Sequence, residues 1–142
     1  MGTERKEGPL ASFETKRLPP EPDVTAPDGS NVRVLLALPG GSMAHFELAP
    51  GLISYAVAHN TVDEIWYFLT GRGDMWRREG EYEEIVTVEP GMSISIPCGT
   101  AFQFRSDGAE PLTAVAVTMP PWPGDGEAYE VEGHWLPKLG GA

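Results

Sequence analysis

The sequence predicts an all-β fold, a barrel or a sandwich built as one domain. From Val32 to Pro120, short segments rich in β-branched and aromatic residues follow one another, each bounded by Gly, Pro, Asn or Asp. No segment of useful length has the period of about 3.6 residues that marks an amphipathic helix. The chain has 142 residues, 41% of them hydrophobic, which suits a single domain with one core.

Nine consecutive segments are expected to be the strands of this barrel, which spans residues 32–119. In chain order they read VRVLLALP, SMAHFELAP, LISYAVAH, EIWYFLT, GDMWRR, EEIVTVEP, MSISIP, AFQFRS and PLTAVAVTMP. Their even spacing, without helices between them, is typical of sandwiches and barrels.

The two ends of the chain are expected to lie outside the barrel. Residues 1–31 are polar and rich in proline, which predicts an extended N-terminal arm with one possible strand at residues 10–17. Residues 120–142 predict an irregular tail with one added strand over residues 128–132. Two aromatic side chains are available to pack this tail on the barrel, Trp122 and Trp135.

Charge and cysteine content limit the classes of partner. The formal net charge of −11 makes binding to nucleic acid or to an anionic membrane surface unfavourable. Cys98 is the only cysteine, so neither an intrachain disulfide nor a thiolate metal cluster is expected. No apolar run is long enough to cross a bilayer, and the first residues lack the apolar core of a signal peptide. We therefore expect a cytoplasmic protein whose partner is a small molecule.

The segment from Gly51 to Gly71 organises the rest of the chain. It is expected to form two strands joined by a tight turn, residues 52–59 and 64–69, in which alternate side chains share a face. One face of the first strand then carries Ile53, Tyr55, Val57 and His59, and one face of the second carries Glu64, Trp66 and Phe68. Because burying a polar pair in an apolar space is costly, the histidine and the carboxyl group point to a function.

Two motifs carry a resemblance to a known family. The first is Gly51, five residues, Val57, one residue, His59, four residues, Glu64, six residues and Gly71. The second is Gly91, five residues, Pro97, one residue, Gly99, two residues, Phe102, three residues and Ser106. They resemble the two motifs of the cupin superfamily, G-x5-H-x-H-x3/4-E-x6-G and G-x5-P-x-G-x2-H-x3-N. The resemblance implies a cupin-type jelly-roll β-barrel with an internal pocket.

The same resemblance bears on metal binding. The positions that hold a metal in many cupins are occupied here by Val57, His59, Glu64 and Phe102. Only His59 and Glu64 can donate to a metal, whereas catalytic zinc and non-haem iron sites use three protein ligands. The resemblance therefore implies no metal or other cofactor, and similar cupins work without metal as dehydratases, isomerases or cyclases. A second register, with Thr61 at the second histidine position, breaks both spacings, so we prefer the first.

His59, Glu64 and Tyr55 are the candidate catalytic residues. Imidazole titrates near neutral pH, and a carboxyl group buried among aromatic rings has a raised pKa that lets it act as a general acid. The hydroxyl of Tyr55 is a candidate for positioning a substrate. Each residue also has a structural alternative: His59 bonded to a barrel neighbour, Glu64 orienting His59 or an arginine, and Tyr55 packed in the core.

An apolar ligand-binding wall is expected around these residues. Its members are Ile53, Val57, Trp66, Phe68, Phe102 and Phe104. Their flat faces suit a hydrophobic or aromatic molecule, and the alternative is simple core filling. Outside the motifs, we expect His45 at the surface or an interface, Asp63 facing water, and Cys98 as an unreactive thiol at the rim.

Three functions are compatible with this sequence. A metal-independent lyase, isomerase or cyclase is the preferred hypothesis. The alternatives are a non-catalytic barrel that binds or senses a metabolite, and a metal-dependent cupin enzyme with an additional ligand. We also expect a homodimer, because edge strands need covering and cupins resembling this one pair through such edges.

Overall fold

The computed structural model describes residues 13–140 of the chain. Within that range it contains eleven β-strands and no α-helix. In chain order the strands are β1 (Val24–Thr25), β2 (Asn31–Leu38), β3 (Gly41–Leu48), β4 (Val57–His59), β5 (Asp63–Thr70), β6 (Gly73–Glu79), β7 (Tyr82–Val88), β8 (Ser93–Ile96), β9 (Ala101–Ser106), β10 (Leu112–Met119) and β11 (Ala128–Glu130). Among these residues there is accordingly no helix long and apolar enough to cross a membrane.

The strands form two antiparallel sheets. One has six strands in the order β1-β2-β3-β10-β5-β8, and the other has five in the order β11-β4-β9-β6-β7. Neighbours such as β3 and β10, or β4 and β9, are far apart in sequence, as a jelly roll requires. The expected all-β jelly-roll fold is therefore confirmed.

The core lies between the two sheets and follows the alternation of the strands. On β5, Trp66 and Phe68 are each 1% exposed, whereas Ile65 and Tyr67, which alternate with them, are each 48% exposed. Trp66 lies at the centre of the packing, with its ring stacked on Phe46 at 5.0 Å between centroids. Removing these rings from water supplies much of the driving force for joining the sheets.

The first strand of the predicted hairpin is shorter than expected. Only Val57–His59 forms β4, and Ile53 makes isolated bridges to Arg105 and Lys138. The chain between them pairs with several segments in turn, because the Ser54 amide donates to the Phe104 carbonyl while the Tyr55 amide donates to the Asp28 carbonyl. No single neighbouring strand is there to impose a regular pleat.

The two ends of the chain differ in how well they match expectation. The strand expected at residues 10–17 lies partly outside the described residues, and residues 13–17 are not a strand. The arm instead contributes β1, which pairs with β2. At the other end β11 pairs with β4, within the predicted range 128–132. Trp135 packs against the buried cluster of Ala56, Trp76 and Ala101, and the Arg105 guanidinium lies 4.3 Å above the Trp135 ring.

Candidate functional site

A cavity of about 670 Å³ opens between the two sheets. One wall is formed by β2, β3, β5 and β10, and the opposite wall by β4, β9 and β11. Arm residues 24–28 and tail residues between 121 and 126 complete the lining. The volume falls within the range of pockets that hold small organic molecules.

Glu64 lines this cavity from β5 and is 3% exposed. Trp66 Nε1 donates to its Oε1 at 2.8 Å, and Thr118 Oγ1 donates to its Oε2 at 3.0 Å. Burial raises the pKa of Glu64 to about 7, although the two hydrogen bonds offset part of that rise and the carboxyl groups of Asp28 and Glu127 add to it. Both protonation states of Glu64 are therefore accessible near neutral pH.

His59 lines the cavity from β4 and is 5% exposed. Its ring meets the rings of Phe102 and Trp122 nearly edge-on, at 5.4 and 5.3 Å between centroids. Nδ1 is buried and has no hydrogen-bond partner in residues 13–140. Burial lowers the pKa of His59, although the negative charge of Glu127 opposes the shift. The imidazole is therefore neutral at neutral pH and retains a free lone pair.

The fold brings His59 and Glu64 to one cavity from two different sheets. Among the described residues neither side chain hydrogen-bonds the other, since Glu64 is bonded to Trp66 and Thr118. The alternative in which Glu64 orients His59 or an arginine therefore does not agree with these hydrogen bonds. The arrangement offers one neutral base and one acid that titrates near pH 7 to a molecule between them.

Asp28 is a third titratable group on the cavity wall, and sequence reasoning missed it. It is 4% exposed, and its Oδ1 accepts hydrogen bonds from Ser30 N at 2.9 Å and from Ser30 Oγ at 2.6 Å. Burial raises the pKa of Asp28, with the Ser30 hydrogen bonds acting in the opposite direction. In the sequence, Asp28 followed by Gly29 indicates only a turn, because nothing local indicates that this turn packs against a distant pocket.

The tail closes the cavity beside His59. Trp122 provides the ring that meets the imidazole, and Glu127 anchors the start of β11. The Glu127 carboxylate accepts hydrogen bonds from Thr61 N and Thr61 Oγ1, both at 2.7 Å, and from Val62 N at 3.0 Å. Burial alone raises the pKa of Glu127, but these hydrogen bonds and His59 outweigh it and lower the pKa.

The predicted apolar wall is only partly at the cavity. Val57, Trp66 and Phe102 line it. Phe68 and Phe104 are 1% and 2% exposed and belong to the core outside the lining. For these two rings the core-filling alternative therefore describes the packing, because both are buried in the core cluster.

Ile53 and Tyr55 are corrections to the predicted pocket face. Neither lines the cavity, and Tyr55 is 39% exposed. Alternation holds only along a regular strand, and the regular part begins at Val57. The Tyr55 hydroxyl is therefore absent from the site, and its main-chain amide holds the Asp28 loop instead.

His45 is a further correction, since it is 7% exposed rather than at the surface. It pairs with Arg33 of β2, whose guanidinium donates to two carbonyls of the N-terminal arm, so this part of the sheet is covered. Burial and the positive charge of Arg33 lower the pKa of His45, with Glu47 opposing. Asp63 is exposed as predicted, and its Oδ1 accepts a hydrogen bond from the amide of the exposed Cys98.

The donor set does not fit the metal that the corresponding positions hold in many cupins. Val57 and Phe102, which occupy two of the four positions, face each other as direct partners on β4 and β9. Both oxygens of Glu64 already accept hydrogen bonds from the wall. Within residues 13–140 no three His, Cys, Asp or Glu side chains come together as a metal site.

Comparison with known proteins adds a family to this geometry. The family model described as a cupin domain matches residues 44–118, which is more than half of the chain. No curated protein matches the sequence.

Several solved structures share the fold. A conserved, uncharacterised protein with a double-stranded β-helix domain from Klebsiella pneumoniae is 17% identical, with a TM-score of 0.61 over 73% of this chain and 85% of that one. KdgF from Halomonas sp. is 16% identical, with a TM-score of 0.59 over 70% and 87%. A predicted oxalate decarboxylase from Thermotoga maritima is 21% identical, with a TM-score of 0.56 over 64% and 80%. Similarity at these identities shows the fold alone.

Proposed function

Because this chain belongs to the cupin family, we propose that it is a small-molecule enzyme that transfers protons without a metal ion, as a lyase, isomerase or cyclase. His59 is the general base and Glu64 the general acid. The observation that carries the proposal is a buried carboxyl group with a pKa of about 7 in the same cavity as a neutral, buried imidazole. Two titratable groups shifted in opposite directions are typical of acid–base sites.

A dehydration illustrates how the two groups act together. The unprotonated nitrogen of His59 takes a proton from a substrate carbon, and the electron pair of that C–H bond forms the new double bond. The C–O bond of a neighbouring hydroxyl breaks, and Glu64 gives its proton to the departing oxygen, which leaves as water. His59 ends protonated and Glu64 ionised, so a proton returned from His59 to Glu64 through water resets the site.

The surrounding residues support this division of roles. Trp66 and Thr118 hold the Glu64 carboxyl group in one orientation, while Phe102 and Trp122 hold the imidazole ring. Fixed orientation of acid and base reduces the entropy that must be lost in the transition state. The apolar wall excludes water and keeps both groups in a medium that maintains their shifted pKa values.

Solvent-deuterium incorporation tests the proposal before the substrate is known. A panel of hydroxycarbonyl compounds is incubated with protein in D₂O, and each compound is examined by proton NMR for exchange at carbon. We expect at least one compound to exchange, and His59→Gln or Glu64→Gln to slow that exchange by about 100-fold or more. The matched controls His134→Gln and Asp63→Asn replace exposed residues outside the cavity and should retain the parent rate.

Metal content decides between this proposal and the metal-dependent alternative. We expect protein purified without chelator to contain no stoichiometric iron, zinc, manganese or nickel, and exchange to survive treatment with EDTA. If the protein contains stoichiometric metal and removing that metal abolishes deuterium exchange, the proposal is wrong.

A non-catalytic, metabolite-binding barrel is the second candidate. It is favoured by the fact that both oxygens of Glu64 are already engaged by the wall, which is compatible with a purely structural carboxyl group. A ligand that protects the protein against thermal unfolding but neither exchanges nor turns over identifies this function.

A further inference from the structure

The charges on the cavity wall are of one sign. Asp28, Glu64 and Asp125 line it, and no lysine or arginine is among the described residues that do so. Four aromatic rings also face the space, those of Phe46, Trp66, Phe102 and Trp122. Carboxylates together with aromatic faces are the groups by which proteins bind organic cations.

Asp28 is the carboxyl group that is best placed to meet a ligand. Its Oδ1 is bonded to Ser30 N and Ser30 Oγ, which fixes the side chain, while its Oδ2 has no hydrogen bond in the described part of the chain. The loop is held by the hydrogen bond from the Tyr55 amide to the Asp28 carbonyl. On the other wall, His59 Nδ1 is buried and has no hydrogen-bond partner among these residues. A cavity whose wall contains such an unpartnered atom is built for a polar occupant.

We propose that the substrate of this cavity carries an organic cation of the alkylammonium class, that Oδ2 of Asp28 binds the cationic group, and that organic anions are rejected. The proposal names the substrate class for the site described under Proposed function and rests on that function. A desolvated ammonium group gains an ion pair and the faces of aromatic rings in exchange for its hydration. An anion of the same size meets three carboxyl groups and no compensating cation.

The carboxyl groups already oppose one another's ionisation. Burial is the main cause of the raised pKa of Asp28 and of Glu64, and the charge on Asp28 raises the pKa of Glu64 further. A bound cation relieves this repulsion, which adds to its own binding energy.

Three probes of nearly equal shape test the proposal: benzylammonium, benzyl alcohol and benzoate. The measurement is made at about pH 8, where the amine probe is a cation and the benzoate probe is an anion. Binding is followed by the indole N–H signals in NMR. Trp66 and Trp122 line the cavity, whereas Trp76 and Trp135 lie outside it and act as internal references. We expect benzylammonium to shift only the first pair, and to bind about tenfold or more tightly than benzyl alcohol. Benzoate should not bind.

Asp28→Asn separates charge from structure. Asn retains an Oδ1 that accepts the Ser30 hydrogen bonds, so the loop is kept while the charge is lost. The control is Asp107→Asn, because Asp107 Oδ1 accepts a similar local hydrogen bond, from Ala109 N at 3.0 Å, on an exposed loop. We expect Asp28→Asn to reduce the preference for benzylammonium over benzyl alcohol to about twofold or less, and Asp107→Asn to leave it unchanged.

The possible failures are distinguishable. Equal binding of all three probes, or an unchanged preference in Asp28→Asn, overturns the cation proposal but leaves a ligand pocket in which proton transfer can still be tested. Tighter binding of benzoate overturns it also. If no probe shifts Trp66 or Trp122, both the cation proposal and the cavity as a substrate site are wrong.

Discussion

Glu64 shows how one residue couples burial to chemistry. Alternation on β5 turns its side chain inward, and two hydrogen bonds from the wall fix it there. These bonds stabilise the ionised form, yet desolvation is larger and the pKa rises to about 7. Because desolvation outweighs the hydrogen bonds, the ionised form of Glu64 destabilises the folded protein at alkaline pH. This effect can be measured from the dependence of stability on pH.

Replacing Glu64 by Gln should flatten the dependence of stability on pH. The pKa is raised from 4.5 to about 7 in the folded protein, so the folded state binds the proton more tightly than the unfolded state. Its contribution to stability is fully present below 4.5 and is lost as the pH rises through 7, a loss on the order of 3 kcal/mol. Gln can keep both contacts, because its Oε1 accepts from Trp66 Nε1 and its Nε2 donates to the Thr118 hydroxyl, and it cannot ionise.

Chemical denaturation of parent and Glu64→Gln across this pH range measures the difference. We expect the difference in unfolding free energy, variant minus parent, to increase as the pH rises from acidic to alkaline values. His59, whose pKa is lowered, acts with the opposite sign and loses stability as the pH falls below 6.5, but it is present in both proteins and cancels. A parallel pH profile for the two proteins contradicts the raised pKa.

At the scale of elements, the turn from β5 to β6 depends on Gly71. Its φ is +78°, and a Cβ there would collide with the main chain of Pro111 and Leu112, at the start of β10. The close approach lets the six-stranded sheet continue into the five-stranded one at this corner. Gly91 also has a positive φ, +95°, but a Cβ there meets nothing within 4 Å.

Comparing alanine substitutions at these two glycines separates backbone strain from collision. Gly91→Ala should lower the free energy of unfolding by about 1 kcal/mol, from the left-handed conformation alone. Gly71→Ala should cost roughly 2 kcal/mol more, because the main chain of β10 must also move. Equal losses for the two variants, measured by denaturant titration, would show that the corner has room for a side chain.

Glu127, the residue before β11, adds side-chain hydrogen bonds to the main-chain pairing of β11 with β4. Replacing Glu127 by Ala removes three hydrogen bonds to Thr61 and Val62, which should cost about 2 kcal/mol and loosen the tail over His59. Amide hydrogen exchange at Asn60, which donates to the Glu127 carbonyl at 2.9 Å, should accelerate. The control is Glu130→Ala, exposed on the same strand, and exchange no faster in Glu127→Ala than in this control contradicts the anchoring role.

At the scale of the whole molecule, two sheets close at one end around aromatic rings and separate at the other to leave the cavity. The rings of Phe68 and Phe104 belong to the closed end, and Trp66 lies between them and the cavity. The open end receives the arm and the tail, which come from opposite ends of the chain. A site built in this way requires the complete fold before its opposite walls meet.

The expected homodimer stays a prediction at this scale. Ile65 and Tyr67 project from the outer face of β5, each 48% exposed, and β8 beside it is the edge of the sheet. Sedimentation equilibrium should give twice the chain mass of 15.4 kDa, and Tyr67→Lys should weaken the association. A parent protein that sediments as a single chain at micromolar concentration contradicts this expectation.

The sequence alone determined the class of fold and predicted that His59 and Glu64 share one pocket, which both side chains line. Strand alternation is a local property, so the inward direction of Glu64 followed from its own segment, and motif spacing supplied the register for His59. The prediction from strand alternation was wrong at Tyr55. Regular alternation requires a continuous partner strand, whereas three different segments pair with residues 53–55.

Only the tertiary structure decided what surrounds that pair. Asp28, Thr118 and Trp122 reach the cavity from parts of the chain far from the central hairpin, and the burial of His45 depends on the arm that covers its sheet. Solvation and hydrogen bonding depend on contacts between residues distant in sequence. For that reason the two titratable side chains, His59 and Glu64, could be read from the sequence, whereas the carboxyl group of Asp28 beside them could not.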